Sequence, residues 1–246
     1  MRELSDHDLA YHLATGIGDI VRGTRAGGLL HGRSLARVAN EVAQNWTDEV
    51  LAVHRPDDGT LSEGVSDDLS RLDKSRVWII DVIDGTKEFS TGRSDWSVHV
   101  ALVVDGRPAL ASVGLPDSGR VFRSDQVDHV DGPLSGTMVI SRNNPPAGVH
   151  EIADELGLRV RPMGSAGAKM LSVLLGDADV YLHAGGQYEW DQAAPVAVAL
   201  ASGLHASRPD GSPIEFNKSD AHSPDILVCR PDLTEKVLAA TAGWSV

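Results

Sequence analysis

The chain has 246 residues, of which 41% are hydrophobic and only 4% aromatic, so it can bury a sizeable core built mainly from Val, Leu, Ile and Ala. Its formal net charge of −13, with no long basic run, argues against a nucleic acid polymer as partner, and an anionic substrate would be repelled unless cations are bound at its site. The single cysteine, Cys229, excludes an intrachain disulfide, and no stretch approaches the roughly 18 apolar residues of a membrane span, so a protein of the reducing cytoplasm is expected.

The opening "MRELSDHDLA" lacks the apolar core of a signal peptide. Ser5 stands before Asp8 in N-cap spacing, and Leu9, Leu13, Ile17 and Ile20 then share one helical face. A second helix is predicted from near Ser34, with Leu35, Val38, Val42, Trp46, Val50 and Val53 as its stripe. "RPDDGTLSEG" reads as a loop carrying Glu63. "RVWIID" is a short apolar strand. In "DWSVHVALVV" the alternation of Trp96, Val98, Val100, Leu102 and Val104 predicts a strand with one buried face. Asp105-Gly106 is a hairpin signal, and "PALASVGLP" and "RVFRS" continue a meander.

The second half alternates. Strands are predicted at "TMVIS", "LRVRP", "ADVYLH" and "DILVCR", the last burying Cys229. Helices are predicted at "GVHEIADEL", at "SAGAKMLSVLLGD" with Met170, Leu171, Leu174 and Leu175 inward, at "WDQAAPVAVALASG" up to Gly203, and at "LTEKVLAATA". This alternation argues for an α/β half. A soft boundary near Asp131 to Gly136 divides an N-terminal α+β half, 1–132, from a C-terminal α/β half, 133–246.

Four acids stand out: Glu63 in a loop, Asp81 and Asp84 at a strand end, and Asp191 opening a helix. Oxygen-only ligands suit hard cations, Mg²⁺ above all. Where a strand turns sharply, Asp81 and Asp84 can point into one pocket and the Ile83 carbonyl can join them. Gly85 lets backbone approach a ligand, and Thr86 offers a hydroxyl and an N–H. "DVIDG" taken alone reads better as a plain turn, since Asp and Gly are turn residues. Two Mg²⁺ ions in such a pocket would clamp a phosphate and activate water.

"LSEG", "WIIDVIDGTKEFSTGRSDWSVHVALV", "GSAGAKM" and "YLHAGGQYEWDQAAPVAVALASG", in this order, resemble blocks of the inositol monophosphatase superfamily of Mg²⁺-dependent, lithium-sensitive phosphatases. Within it they are most similar to the CysQ-type 3′(2′),5′-bisphosphate nucleotidases of the actinobacterial branch. The resemblance runs from about Leu61 to Val228. It implies an α/β (α+β) fold, a layered α-β-α-β-α sandwich of the inositol monophosphatase and sugar phosphatase type, with both halves in one compact unit. It also implies that Glu63, Asp81 and the Ile83 carbonyl hold a first Mg²⁺, and that Asp81, Asp84 and Asp191 hold a second, with a third ion at a more exposed position. Glu63 and Thr86 would orient the attacking water, and Gly85 and Thr86 would bind the phosphate. Ser141 and Arg142 would contact a second phosphate, and Ser165 and Lys169 would lie near the nucleotide. Glu189 is a candidate for a sugar hydroxyl. His183 reads better as a structural, hydrogen-bonded histidine than as a pocket residue. Many relatives are homodimers, so a homodimer is open to this chain.

Three positions depart from the family pattern. Gly64 replaces a second acid after Glu63, and Val82 replaces a proline. An aspartate that normally accepts from the threonine at Thr86 aligns with Asn40, near Arg33 and Arg37, with Asp48 a weaker stand-in. Asn accepts through its carbonyl oxygen but carries no charge. The leading expectation is a phosphatase acting on 3′-phosphoadenosine 5′-phosphate or its sulfated form. The alternatives are the same reaction on inositol phosphate, fructose bisphosphate or a specialised-metabolism phosphoester, and a weakly active nucleotide-binding pseudoenzyme in which Asn40 blunts turnover.

Overall fold

Ser5 caps the first helix: its Oγ accepts from the Asp8 N–H at 3.1 Å, and α1 runs over Asp6–Ala26. The computed structural model describes residues 4–244. Leu9, Leu13 and Ile17 are buried, but the stripe continues through Val21, with Ile20 only partly covered. α2 spans Gly32–His54, and its packed face differs from the expected stripe. Leu35, Ala36, Ala39, Ala43, Thr47 and Leu51 are buried, while Val42 and Val53 are exposed. Trp46 lies across Gly16 of α1, where a Cβ would overlap the indole. Close approach of the two helices selects small side chains for the contact, so size rather than hydrophobicity sets the face.

The segment expected as a loop before Glu63 contains a strand, β1, Gly59–Ser62, paired in parallel with β2, Arg76–Asp84. A short helix α3, Thr86–Ser90, follows β2. Next come β3, Ser97–Val104, β4, Arg107–Leu115, and β5, Arg120–Arg123. The sheet order is β1-β2-β3-β4-β5, antiparallel from β2 onward. Asp105 and Gly106, with φ of 49° and 76°, make the β3–β4 turn, as the Asp-Gly pair predicted.

The second half runs β6 (Thr137–Ser141), α4 (Val149–Leu156), β7 (Arg159–Met163), α5 (Ala166–Leu174), β8 (Val180–Ala184), α6 (Glu189–Ala201), β9 (His205–Ser207), β10 (Asp225–Cys229) and α7 (Thr234–Ala240). Its sheet has the order β7-β6-β8-β10-β9. β7, β6 and β8 are parallel, and β10 runs antiparallel to both its neighbours. β9 has no counterpart in the sequence reading. Leu175 ends α5 at the surface instead of pointing inward.

Three cores order the layers. Trp78, Ile80, Val98 and Val100 face α1 and α2. Val77, Ile79, Ala101 and Val103 face the opposite way, toward α5 and α6, which also pack on Tyr181, Ile226 and Val228 of the second sheet. The other face of that sheet, with Met138, Leu182 and the buried Cys229, is covered by α4 and α7. The result is the α-β-α-β-α sandwich that the resemblance implied. Both sheets are therefore covered on both sides, so side chains on either face of β3 are buried.

Candidate metal-binding active site

In a regular strand, residues three apart point to opposite faces. β2 breaks that rule where its acids lie. Asp81 pairs with His99 and Asp84 pairs with Ser97, so three steps on β2 oppose two on β3. The extra residue is a bulge, and it turns Asp81 and Asp84 to the same face. That face looks toward the central helices, where α6 brings Asp191 in its first turn. One carboxylate oxygen from each of Asp81, Asp84 and Asp191 lies within 4.8 Å of the others. Ser62 pairs with Ile80, so Glu63, the next residue, enters the same neighbourhood from β1. It lies outside the tight triplet.

The electrostatics of the acids differ. Asp81 is fully buried, and among the described residues its carboxylate accepts one hydrogen bond, from the Ile83 N–H at 2.8 Å. Burial, and then the charges of Glu63, Asp84 and Asp191, push its acid well above the usual aspartate range. Burial and Asp84 push Asp191 up to about 7, although its Oδ2 accepts the Tyr188 N–H at 2.7 Å. Burial and Asp84 also raise Glu63. Asp84 goes the other way. Burial alone would raise it, but His99, Lys169 and the Gly167 N–H hold it down at about 2.

Asp84 Oδ2 is saturated by protein. It accepts from Ser97 Oγ at 2.9 Å and the Gly167 N–H at 3.0 Å, and it lies 3.1 Å from His99 Nε2. Ser97 Oγ also meets Ser165 Oγ and His99 Nε2, each at 2.9 Å. Gly167 is required by this crowding, because a Cβ there would overlap His99 Nε2 and Ser97 Oγ.

The Gly85–Thr86 turn is equally tight. Gly85 has φ of 88°, and a Cβ on it would sit 3.0 Å from Ser165 Cβ and 3.3 Å from Trp96 Cα. Thr86 Oγ1 donates to the Ile83 carbonyl at 3.1 Å. No hydrogen bond joins Thr86 to Asn40, so the expected pairing is replaced by a bond within the turn itself. Asp48 accepts from Gln44 Nε2 at 2.7 Å, on α2. Gly64 has φ of 75° and faces open space, and Val82 is buried.

The remaining candidates have clear partners. Arg142 is clamped by Glu88 Oε1 at 3.0 Å and Asp95 Oδ2 at 2.6 Å, tying the end of β6 to α3 and to the segment before β3. Ser141 Oγ accepts the Asn144 N–H at 3.1 Å. Ser165 is the N-cap of α5, accepting from the Ala168 N–H at 3.0 Å. Lys169 is buried rather than on the surface; its Nζ donates to the Gly164 and Ser165 carbonyls and lies 5.1 Å from the Tyr181 ring centre. Burial lowers it to about 8, against the pull of Asp84 and Asp191. Glu189 is buried and accepts the N–H groups of Asn217 at 2.6 Å and Lys218 at 3.0 Å. It holds the 217–218 turn. His183 Nε2 bonds the Gly185 carbonyl at 2.8 Å, the structural role expected of it.

Residues 7–243 match the inositol monophosphatase family. The chain belongs to that family. It is 44% identical over 254 aligned positions to the 3′-phosphoadenosine 5′-phosphate phosphatase of Mycobacterium leprae, spanning 96% of this chain and 93% of that protein. It is 48% identical over 203 positions to the protein of the same name from Mycobacterium bovis, covering 78% of this chain and 76% of the relative. Among solved structures, CysQ from Bacteroides thetaiotaomicron superposes with a TM-score of 0.78 at 20% identity, over 91% of this chain and 96% of that one, which shows a shared fold.

The donor set of this family member fits a hard divalent cation. Asp81 and Asp191 are oxygen donors in a buried pocket, with no cation bonded to either among the described residues, and their raised pKa values record burial first and then the uncompensated charge of the neighbouring carboxylates. Ser97, His99 and Gly167 were missed in the sequence. Polar Ser97 and His99 alternate with Val98 and Val100, a pattern that predicts one buried face and carries no sign of the second cover.

Proposed function

We propose that this protein is a Mg²⁺-dependent phosphomonoesterase that removes the 3′-phosphate of 3′-phosphoadenosine 5′-phosphate or of its sulfated form. The observation that carries the reading is the bulge in β2, which brings Asp81 and Asp84 together with Asp191 where the strand runs into the Gly85–Thr86 turn. The substrate is supported by the names of the 44% and 48% identical relatives.

Asp81, Asp84 and Asp191 would hold one ion, and Asp81, Glu63 and the Ile83 carbonyl another. Bound Mg²⁺ would lower the pKa of an attacking water and neutralise charge on the phosphoryl group. Thr86 Oγ1, fixed by its bond to Ile83, and Glu63 would orient that water. The Gly85 and Thr86 backbone would face the phosphate, in a turn whose close packing on Ser165 and Trp96 calls for glycine at position 85. Lys87, whose Nζ reaches Asn143 Oδ1 at 2.8 Å, adds a cation at the rim of an otherwise acidic chain. Positioning and charge neutralisation of this kind dominate phosphoryl transfer.

The test is phosphate release from 3′-phosphoadenosine 5′-phosphate with Mg²⁺, compared by kcat/KM with inositol phosphate and fructose bisphosphate. Release from the nucleotide that is fastest of the three and abolished by a chelator is expected. Preference for another ester would replace the substrate, and nucleotide binding without turnover would replace the reaction.

A further inference from the structure

The carboxylates leave one feature of this end of the molecule unexplained. Tyr188 is 42% exposed, yet its ring is held by two others. It lies parallel to Trp190, with centroids 4.7 Å apart and planes 10° apart. The His222 ring packs edge-on against it at 5.6 Å and 79°, and a backbone bridge joins Tyr188 to His222. Trp190 in turn packs on the central core. A solvent-facing aromatic is thus immobilised on a rigid base.

The ring is also continuous with the carboxylate site. The Tyr188 N–H donates to Asp191 Oδ2, and the Trp190 carbonyl meets His99 Nδ1 at 3.0 Å, whose other nitrogen faces Asp84. Beside Tyr188 the rim is bare backbone: Gly185 and Gly186 have φ of 88° and 75°. Asn144 Nδ2 bonds the Gly185 carbonyl at 3.2 Å, and Asn143 next to it holds Lys87 beside Thr86. A continuous edge therefore runs from the phosphate-facing turn to the aromatic ring.

We propose that Tyr188, backed by Trp190 and held by His222, is a stacking platform for the purine base of a nucleotide whose phosphate lies at the Asp81–Asp84–Asp191 site. The inference rests on the nucleotide reading above and adds the element that recognises the base. A flat, neutral heterocycle is the ligand chemistry that a fixed aromatic face takes without bringing charge to an acidic chain. A polyol such as inositol needs several donors and acceptors, and the ring offers a single hydroxyl. Stacking accepts any base, so guanine in place of adenine should be tolerated.

The test uses the full chain with Tyr188→Ala, Tyr188→Leu, which keeps apolar packing on Trp190 but removes the π face, and Tyr188→Phe. Two quantities are read: the ratio of kcat/KM for 3′-phosphoadenosine 5′-phosphate to that for glycerol 2-phosphate, and binding of adenosine 5′-monophosphate by quenching of tryptophan fluorescence. In both the Ala and Leu variants the ratio should fall on the order of tenfold through KM, with a matching loss of nucleotide affinity, whereas Phe should retain both. If the wild type hydrolyses the bisphosphate and the ratio in Ala and Leu is unchanged, the platform is wrong and the proposed function stands. If the wild type does not hydrolyse it but binds the monophosphate, and Ala and Leu lose that binding, the function is wrong and the platform stands. A wild type that binds no adenine nucleotide overturns both.

Discussion

His99 Nε2 lies 3.1 Å from Asp84 Oδ2, with both side chains buried. His99 Nδ1 faces only an acceptor, the Trp190 carbonyl, so that nitrogen carries a proton. Burial works against a charged imidazole, but Asp84 outweighs it and holds His99 above the usual histidine value. Positive charge is thus built into the acidic site; it contacts Asp84 directly and acts on Asp191 and Glu63 only through space. Asp84 Oδ2 is filled by Ser97, Gly167 and His99, which leaves its other oxygen for an ion.

Replacing His99 with Gln should expose the value of this pair. A buried carboxylate that loses its charged partner costs about 3 kcal/mol or more. The raised His99 contributes its stability below the ordinary imidazole pKa of about 6.5 and loses it as pH rises through the higher folded value. Urea denaturation of metal-free protein should therefore show a larger loss for the variant at pH 6 than at pH 9. Equal losses at the two pH values would assign His99 a packing role alone.

Binding of Mg²⁺ should carry its own pH signature. Asp191, raised to about 7, keeps a proton in the folded, metal-free protein that the unfolded chain has already lost. Its contribution to stability is therefore full at acid pH and declines from its ordinary aspartate range up to about 7. An ion must displace that proton, so affinity should fall up to about tenfold per pH unit below 7. The rise in melting temperature on adding Mg²⁺ should be small at pH 5 and large at pH 8. A shift independent of pH would remove Asp191 from the ion's ligands.

Much of this was legible in the chain, and the failures have physical causes. The alternating apolar runs placed most strands, and Ser5 and the Asp105-Gly106 pair marked a helix start and a turn. The four acids stand out by position, but which of them share an ion is implied only by the resemblance, because strand periodicity alone puts Asp81 and Asp84 on opposite faces. Only the bulge, visible as a register shift against β3, reverses that. His99 was lost for the converse reason. A strand with one apolar row reads as half-buried, and its second cover, from α5 and α6, comes from residues more than sixty positions away. β1 was missed because four residues beside a Gly-rich loop carry little pattern, and it is fixed by pairing with β2. The α2 stripe failed because alanines, not valines, fit against α1.

Thr86 and Asn40 give a test of the departure from the family pattern. The Thr86 hydroxyl is already oriented by the Ile83 carbonyl, so it does not depend on Asn40. Asn40→Asp should change phosphate release by less than about threefold, whereas Thr86→Val, which removes the hydroxyl, should lower kcat on the order of a hundredfold. A rise of about tenfold or more in Asn40→Asp would show that a carboxylate at that position activates the threonine during turnover.

Asp81 and Asp84 are three residues apart and share one pocket, yet their substitutions should move stability in opposite directions. Asp81 is a buried acid raised by burial and by three neighbouring carboxylates, with one backbone N–H as its partner. Asp81→Asn keeps that bond through its side-chain oxygen and removes the repulsion, so metal-free protein should gain about 0.5–2 kcal/mol. Asp84 is held low by His99, Lys169 and Gly167 after overcoming its burial. Asp84→Asn leaves His99 and Lys169 without their shared counter-charge and should cost about 3 kcal/mol. Both variants should lose phosphatase activity by on the order of a hundredfold or more, since each removes a charge that would bind the ion. Stability is measured by denaturation in chelator, and activity with saturating Mg²⁺. The same sign of stability change in both variants would mean that His99 does not distinguish the two carboxylates.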